Sequence, residues 1–214
     1  MQRIKRTKEE IIARMNEVGI TKRFCSGNCP IKRAERVGEI DEEKRTVPFI
    51  MVSSDNIGDR YDWWEDEIYR EELEVTGANF DRLQTMFKDH RPSSDNSIGR
   101  VDNARIEKGE IKCDVYFGRD AGSDAIFKKY VDGLLTDVSI GYRVNDVTIT
   151  EKKDEPTHVL VTDYEIVELS SVWRGFDAGA TIGRSRASPP PVQELQEDGR
   201  SLEFLQKEIE LGEV

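Results

Sequence analysis

Cysteine is scarce: the 214 residues hold three, Cys25, Cys29 and Cys113, an odd number that makes a poor disulfide framework and suits a reducing compartment. Histidine is scarcer still, with His90 and His158 alone. Zinc takes about four nitrogen or sulfur ligands, so the C-x3-C pair Cys25 and Cys29, with Cys113 and two distant histidines, argues against a structural metal, and no cofactor is expected. No apolar run approaches the ~20 residues that span a bilayer, and the amino terminus lacks the apolar core of a secretory signal; a cytosolic protein without a membrane partner is the expectation. Positive charge is in the minority as well. Against 32 Lys and Arg stand 43 Asp and Glu, a net charge of -11, whereas a nucleic-acid binder needs clustered cations to neutralise phosphates. The short basic stretch 3–8 reads as a solvated terminus.

What is present is chain enough for one domain with a substantial core, plus appendages. Thr7 to Glu10 spell a capping box that opens an amphipathic helix to about residue 18, with Ile11, Ile12 and Met15 on one face and Gly19 as its stop. Residues 1–30 thus form an amino-terminal helix and loop. The main domain, 31–183, begins with strand-like segments at 36–40 and 45–52 around the turn Asp41-Glu42-Glu43. A surface loop at 55–64 follows, with Trp63 and Trp64 as packing residues, and then a short helix at 80–87 behind an Asn79 cap. Two alternating segments, 98–106 and 111–117, make a hairpin over Glu107-Lys108-Gly109-Glu110. A helix at 121–131 stopped by Gly133 comes next, followed by long strands from 136 and from 158 to 173. Many strands and few helices predict a mainly β fold with flanking helices, an α+β domain on a closed or nearly closed β-barrel. From 184 to 214 the chain becomes a linker with Pro189-Pro190-Pro191 and a tail helix through Leu202, Leu205 and Ile209.

Residues 136–144 alternate strictly. Val138, Ile140, Tyr142 and Val144 form one apolar strand face, and Ser139, Gly141 and Arg143 share the other. Ser139 is therefore a displayed hydroxyl, Gly141 leaves backbone uncovered beside it, and Arg143 adds a positive charge. A serine hydroxyl needs a base within hydrogen-bond reach and a group that orients the base. His90, after the short helix and before a turn containing Pro92, is a better base than His158, which opens a strand after a charged loop. For the orienting acid, strand 159–172 offers Asp163 and Glu165 on one face, with Glu168 on the other unless a bulge shifts the phase.

The order of elements adds to this. Asp89-His90 precedes Ser97-Ile98-Gly99-Arg100-Val101; then come a hairpin, a helix and Thr136-Asp137-Val138-Ser139-Ile140-Gly141-Tyr142. The series closes with Tyr164-Glu165-Ile166-Val167-Glu168-Leu169-Ser170-Ser171-Val172-Trp173-Arg174-Gly175 and Asp177-Ala178-Gly179-Ala180. Over 47–182 this resembles the prohead (capsid-maturation) serine proteases of tailed bacteriophages, related in fold to the herpesvirus assembly proteases. The resemblance implies a serine endopeptidase with Ser139 as nucleophile, His90 as general base and an acid on the following strand. Glu165 is the expected acid, with Asp163 and Glu168 as alternates. It implies an oxyanion loop at Trp173, Arg174 and Gly175, with Gly141 giving room for substrate backbone. A Pro-Ala-containing loop common in the family is replaced here by Arg174-Gly175-Phe176-Asp177. The substrates implied are the major capsid protein precursor, a scaffold and the chain's own tail, met in the host cytoplasm inside an assembling prohead, with self-association. Two rival readings carry different expectations. A non-catalytic capsid assembly or scaffold protein keeps the strands without bringing Ser139, His90 and an acid together, and a generic binding module centres on Trp63 and Trp64.

Overall fold

The structure, a computed structural model, describes residues 7–16, 21–22, 38–62, 67–153, 155–177 and 179–182. Cys25, Cys29, Gly19, Trp63, Trp64 and everything expected of 184–214 lie outside these. Among the described residues there are two α-helices, α1 (Lys8–Met15) and α2 (Ala121–Val131). The strands are β1 (Thr21–Lys22), β2 (Thr46–Val52), β3 (Gly58–Asp62), β4 (Glu67–Leu73), β5 (Ala78–Asn79), β6 (Thr85–Lys88), β7 (Ser97–Glu107), β8 (Glu110–Phe117), β9 (Val138–Thr150) and β10 (Thr157–Ser171).

Local chemistry explains several of these boundaries. The capping box at α1 forms as read, with the Thr7 hydroxyl accepting from the Glu10 N–H and Glu10 accepting from the Thr7 N–H. At α2 the Asp120 carboxylate accepts from the Gly122 and Ser123 N–H groups at 3.0 Å, and Gly133 leaves the helix with φ 71. Lys108 (φ 53) and Gly109 (φ 75) supply the two left-handed positions of the turn that joins β7 to β8.

Three expectations fail for identifiable reasons. Residues 80–87 are not helical: the Asn79 side chain closes a turn onto the Asp81 N–H at 3.0 Å, and β6 is claimed by β10 on one side and β7 on the other. Pairing across the sheet overrides local preference there. The loop expected at 55–64 contains β3, hairpinned to β4. Its faces carry Asp59, Arg60, Arg70 and Glu71 in mutual ion pairs, so no apolar alternation exists to be read. Of the strand expected at 36–40, residues 38–40 are irregular, and Asp41 makes only an isolated bridge to Thr46.

The strands run β1-β9-β10-β6-β7-β8-β2 across the main sheet. β10 is its longest member. One of its edges pairs antiparallel with β9 along its length, and the other takes β4, β5 and β6 in succession, all parallel to it. The expected barrel does not close: among the described residues no ladder joins β2 to β9 or β1. Residues 180–182 stand in the gap instead, bonded on one side to β2 (Ile50 N–H to the Thr181 carbonyl, 3.0 Å) and on the other to the start of β9 (Val138 N–H to the Ala180 carbonyl, 3.1 Å; Ile182 N–H to the Thr136 carbonyl, 2.8 Å). The architecture shown is a mainly β sheet with two helices.

The core lies on the sheet face that carries Val138, Ile140, Tyr142 and Val144. Tyr130 of α2 packs there against Phe49 and Phe117 at ring separations of 5.1 and 5.7 Å, and its hydroxyl donates to Ser171 Oγ at 3.0 Å. Burial pushes the Tyr130 hydroxyl and the Cys113 thiol well above their ordinary pKa ranges, so both stay neutral. A buried ionic cluster ties the β3–β4 hairpin to this face. Glu71 accepts from Tyr142 Oη at 2.5 Å and from Arg60 Nη1 at 2.9 Å. Burial opposes the Arg60 charge, but the Glu71 carboxylate outweighs it and holds the proton more firmly than usual.

Candidate active site

The faces of β9 and β10 follow from their register. Tyr142 opposes Ile166, Ile140 opposes Leu169 and Val138 opposes Ser171, all toward the core. On the other face Arg143 opposes Glu165, Gly141 opposes Glu168 and Ser139 opposes Ser170. The register slips by one residue between Ile166 and Glu168, so Val167 is an extra residue, a β-bulge. Were Val167 a regularly paired residue, strict alternation would send Glu168 to the core side. With the bulge, Glu168 joins Ser139 and Ser170.

His90 reaches the same face from β10's opposite edge. β6 ends at Lys88, the Asp89 N–H donates to the Ser171 carbonyl at 3.0 Å, and the Arg91 N–H returns to the Lys88 carbonyl at 3.1 Å. Asp89 and His90, at the centre of that turn, both have φ 53. This left-handed backbone is uncommon outside glycine, although Asn, Asp and His tolerate it best, and consecutive instances mark a backbone held by its surroundings. The turn sets the imidazole over β10, where His90 Nδ1 lies 2.8 Å from Glu168 Oε1. Both side chains are buried, at 2% and 1% exposure, so the pair is shielded from water and salt. Ser139 is on the strand beyond β10. Ser139 is itself buried at 4% exposure rather than displayed, and two inter-strand steps of about 10 Å separate its strand from the turn that carries His90.

Glu168, not Glu165, is therefore the acid beside His90. Glu165 shares the face but lies one bulge away, and its carboxylate is 3.7 Å from Arg82, whose side chain is 80% exposed. Asp163 is exposed and accepts from Asn145 Nδ2 at 3.0 Å. His158 pairs with Glu72 at 2.9 Å, far along β10 at its amino-terminal end.

The loop after β10 also differs from expectation. Gly175 packs against the Ser139 strand so closely that an added Cβ would sit 2.7 Å from the Val138 carbonyl oxygen. Its N–H, however, donates to Asp137 Oδ2 at 3.1 Å, so it is already engaged and does not stand open to an oxyanion. Trp173 and Arg174 are exposed, Trp173 at 82%. Gly141, expected beside substrate, has its backbone flanked by Glu168 of β10 and Lys22 of β1. Arg143 is exposed next to Glu165.

Two contributions were not anticipated. Ser170 donates from Oγ to Glu168 Oε1 at 2.7 Å; its spacing two residues from Glu168, on one strand face, was the available signal. Phe176 is held under Arg60, whose guanidinium lies 5.6 Å from the ring centre, and against Gly58. This anchors the loop that carries Trp173 to Gly175 to the β3–β4 hairpin.

No family model matches the chain, and neither does any solved structure. Over 96 residues it is 28% identical to the major capsid protein of Halomonas phage phiHAP-1. The matched stretch makes up 44% of this chain and 16% of that much longer protein, so the chain is similar to a part of a phage head protein.

Proposed function

We propose that the protein is a serine endopeptidase of the phage head, with Ser139 as nucleophile, His90 as general base and Glu168 as the acid that orients it. The observation that carries this reading is the buried His90–Glu168 contact on the same sheet face as Ser139. With Nδ1 bound to the carboxylate, Nε2 is the basic nitrogen of the imidazole. It takes the Ser139 proton as Oγ bonds to a peptide carbonyl carbon, and Glu168 stabilises the imidazolium so formed. The proton then passes to the amine as the C–N bond breaks, and water repeats the cycle to release the acyl group. Similarity to a major capsid protein supports a setting among phage capsid components; a capsid or scaffold precursor, met during assembly inside the prohead, and the chain's own tail are the substrates we propose there.

The second reading, a non-catalytic capsid component, is the one that the similarity to a capsid protein favours more directly. One experiment separates them. An aryl fluorophosphonate is incubated with the full chain and the modified peptide is mapped. The proteolytic reading expects the Ser139 oxygen to displace fluoride in the wild type and His90→Ala to be unlabelled. A capsid precursor co-expressed with wild type is cleaved and with Ser139→Ala is not. Absence of labelling together with an uncut precursor refutes the protease and leaves the capsid component.

A further inference from the structure

We infer that Ser170 is a positioning residue acting through Glu168, an inference that rests on the proteolytic reading of Ser139. Ser170 is fully buried and is the direct cross-strand partner of Ser139. Its hydroxyl donates to Glu168 Oε1 at 2.7 Å, the oxygen that also faces His90 Nδ1 at 2.8 Å. A carboxylate oxygen has lone pairs for two donors, and the two arrive from different elements, Ser170 from within β10 and His90 from the turn after β6. Oε1 is thereby fixed in position by contacts that converge on it.

Two consequences follow. A glutamate side chain has three rotatable bonds, and Ser170 holds the terminal one in the rotamer that meets the imidazole. The second donor also shares the negative charge of Glu168, which weakens its pull on the Nδ1 proton and leaves that proton on the ring. Ser170 is not a second nucleophile in this arrangement, because its proton is directed at Glu168 rather than at the imidazole. The adjacent serine serves as an internal control: Ser171 points to the core, where it accepts from Tyr130.

Because the chain has two histidines, the His90 ring can be followed alone by NMR in a His158→Gln background. Ser170→Ala takes one donor from Glu168 Oε1, so its charge holds the imidazolium proton more tightly. The pH midpoint of the His90 signals should rise. Ser171→Ala should leave the midpoint in place. In a Glu168→Gln background the Ser170→Ala shift should vanish, since the route through the carboxylate is gone. In cleavage assays the acid limb of kcat/KM should move up with the midpoint, and kcat should fall about tenfold with KM little changed. A midpoint that Ser170→Ala leaves unmoved, or one that still shifts when Glu168 is Gln, overturns the positioning role whether or not the protein cleaves peptides. The expected shifts in a wild-type chain that labels with no phosphonate would uphold the contact and refute the protease alone.

Discussion

Exchanging Glu168 for Gln changes the charge of the pair with little change in shape, because the amide oxygen still accepts from His90 and Ser170. On the proteolytic reading, what disappears is the attraction between carboxylate and imidazolium once the Ser139 proton has moved. The N···O separation of 2.8 Å puts the charge centres about 4 Å apart, and at an effective dielectric near 20 this is about 4 kcal/mol. At 1.36 kcal/mol per decade the loss is about 10³-fold in acylation rate. Glu165→Gln, in contrast, disturbs only an exposed contact with Arg82 and should stay within about twofold of wild type. The assay is the second-order rate of Ser139 phosphonylation for both variants, with circular dichroism and melting curves to confirm that each is folded. Equal rates for the two, or a large loss confined to Glu165→Gln, would refute the assignment of the acid and the bulge argument behind it.

Four further outcomes are expected. Gly58→Ala would place a Cβ 2.4 Å from Phe176 Cζ and should cost about 1–3 kcal/mol by urea denaturation; a variant as stable as wild type would show that the ring moves freely. Glu71→Gln leaves the Arg60 guanidinium without its countercharge in a buried site, and a loss of about 3 kcal/mol should lower the melting midpoint by roughly 6–12 °C. His90→Gly should abolish labelling while the chain stays folded by circular dichroism, because glycine suits φ 53 and offsets part of the cost of leaving the buried Glu168 without its imidazole; an unfolded variant would mean that His90 matters mainly to the fold. Bonds from the Ser123 side chain and backbone hold the Asp120 carboxyl below the ordinary range. Its charged form is thus stabilised on folding, a contribution present above the unfolded value of about 4 and lost as pH falls through the folded one. The stability gap between wild type and Asp120→Asn should accordingly narrow below pH 4, and a constant gap from neutral to acid pH would contradict this.

The elements that were legible in the sequence are those whose pattern answers to one local rule. The β7–β8 hairpin, α2 and the capping box of α1 each carry their own turn or cap residues, and the alternation at 138–144 states its faces outright. The failures lie where a partner decides. The β3–β4 hairpin is stabilised by ion pairs between its own charged residues, and β6 is a strand because two others flank it. That Glu168 rather than Glu165 lies beside His90 has a more specific cause: Glu165 and Glu168 are three apart, and both share one face only because Val167 is bulged out of the ladder. Nothing in Glu-Ile-Val-Glu states where a bulge will fall. The His90 turn was partly visible, since Asp and His are residues that accept left-handed backbone, but two in succession is a property of the folded chain.

Val167 also bears on how such a strand can change in length. Between Tyr164 and Ser171 the side chains are committed to two environments, and adding or removing one residue at most positions would exchange them, turning Leu169 outward and Ser170 inward. At the bulge the count has one residue to spare. Deleting Val167 would straighten β10 and reduce its local twist while leaving every other side chain on its own face. A length change at this one point is survivable for the sheet, and its effect would fall on the aim of Glu168 alone.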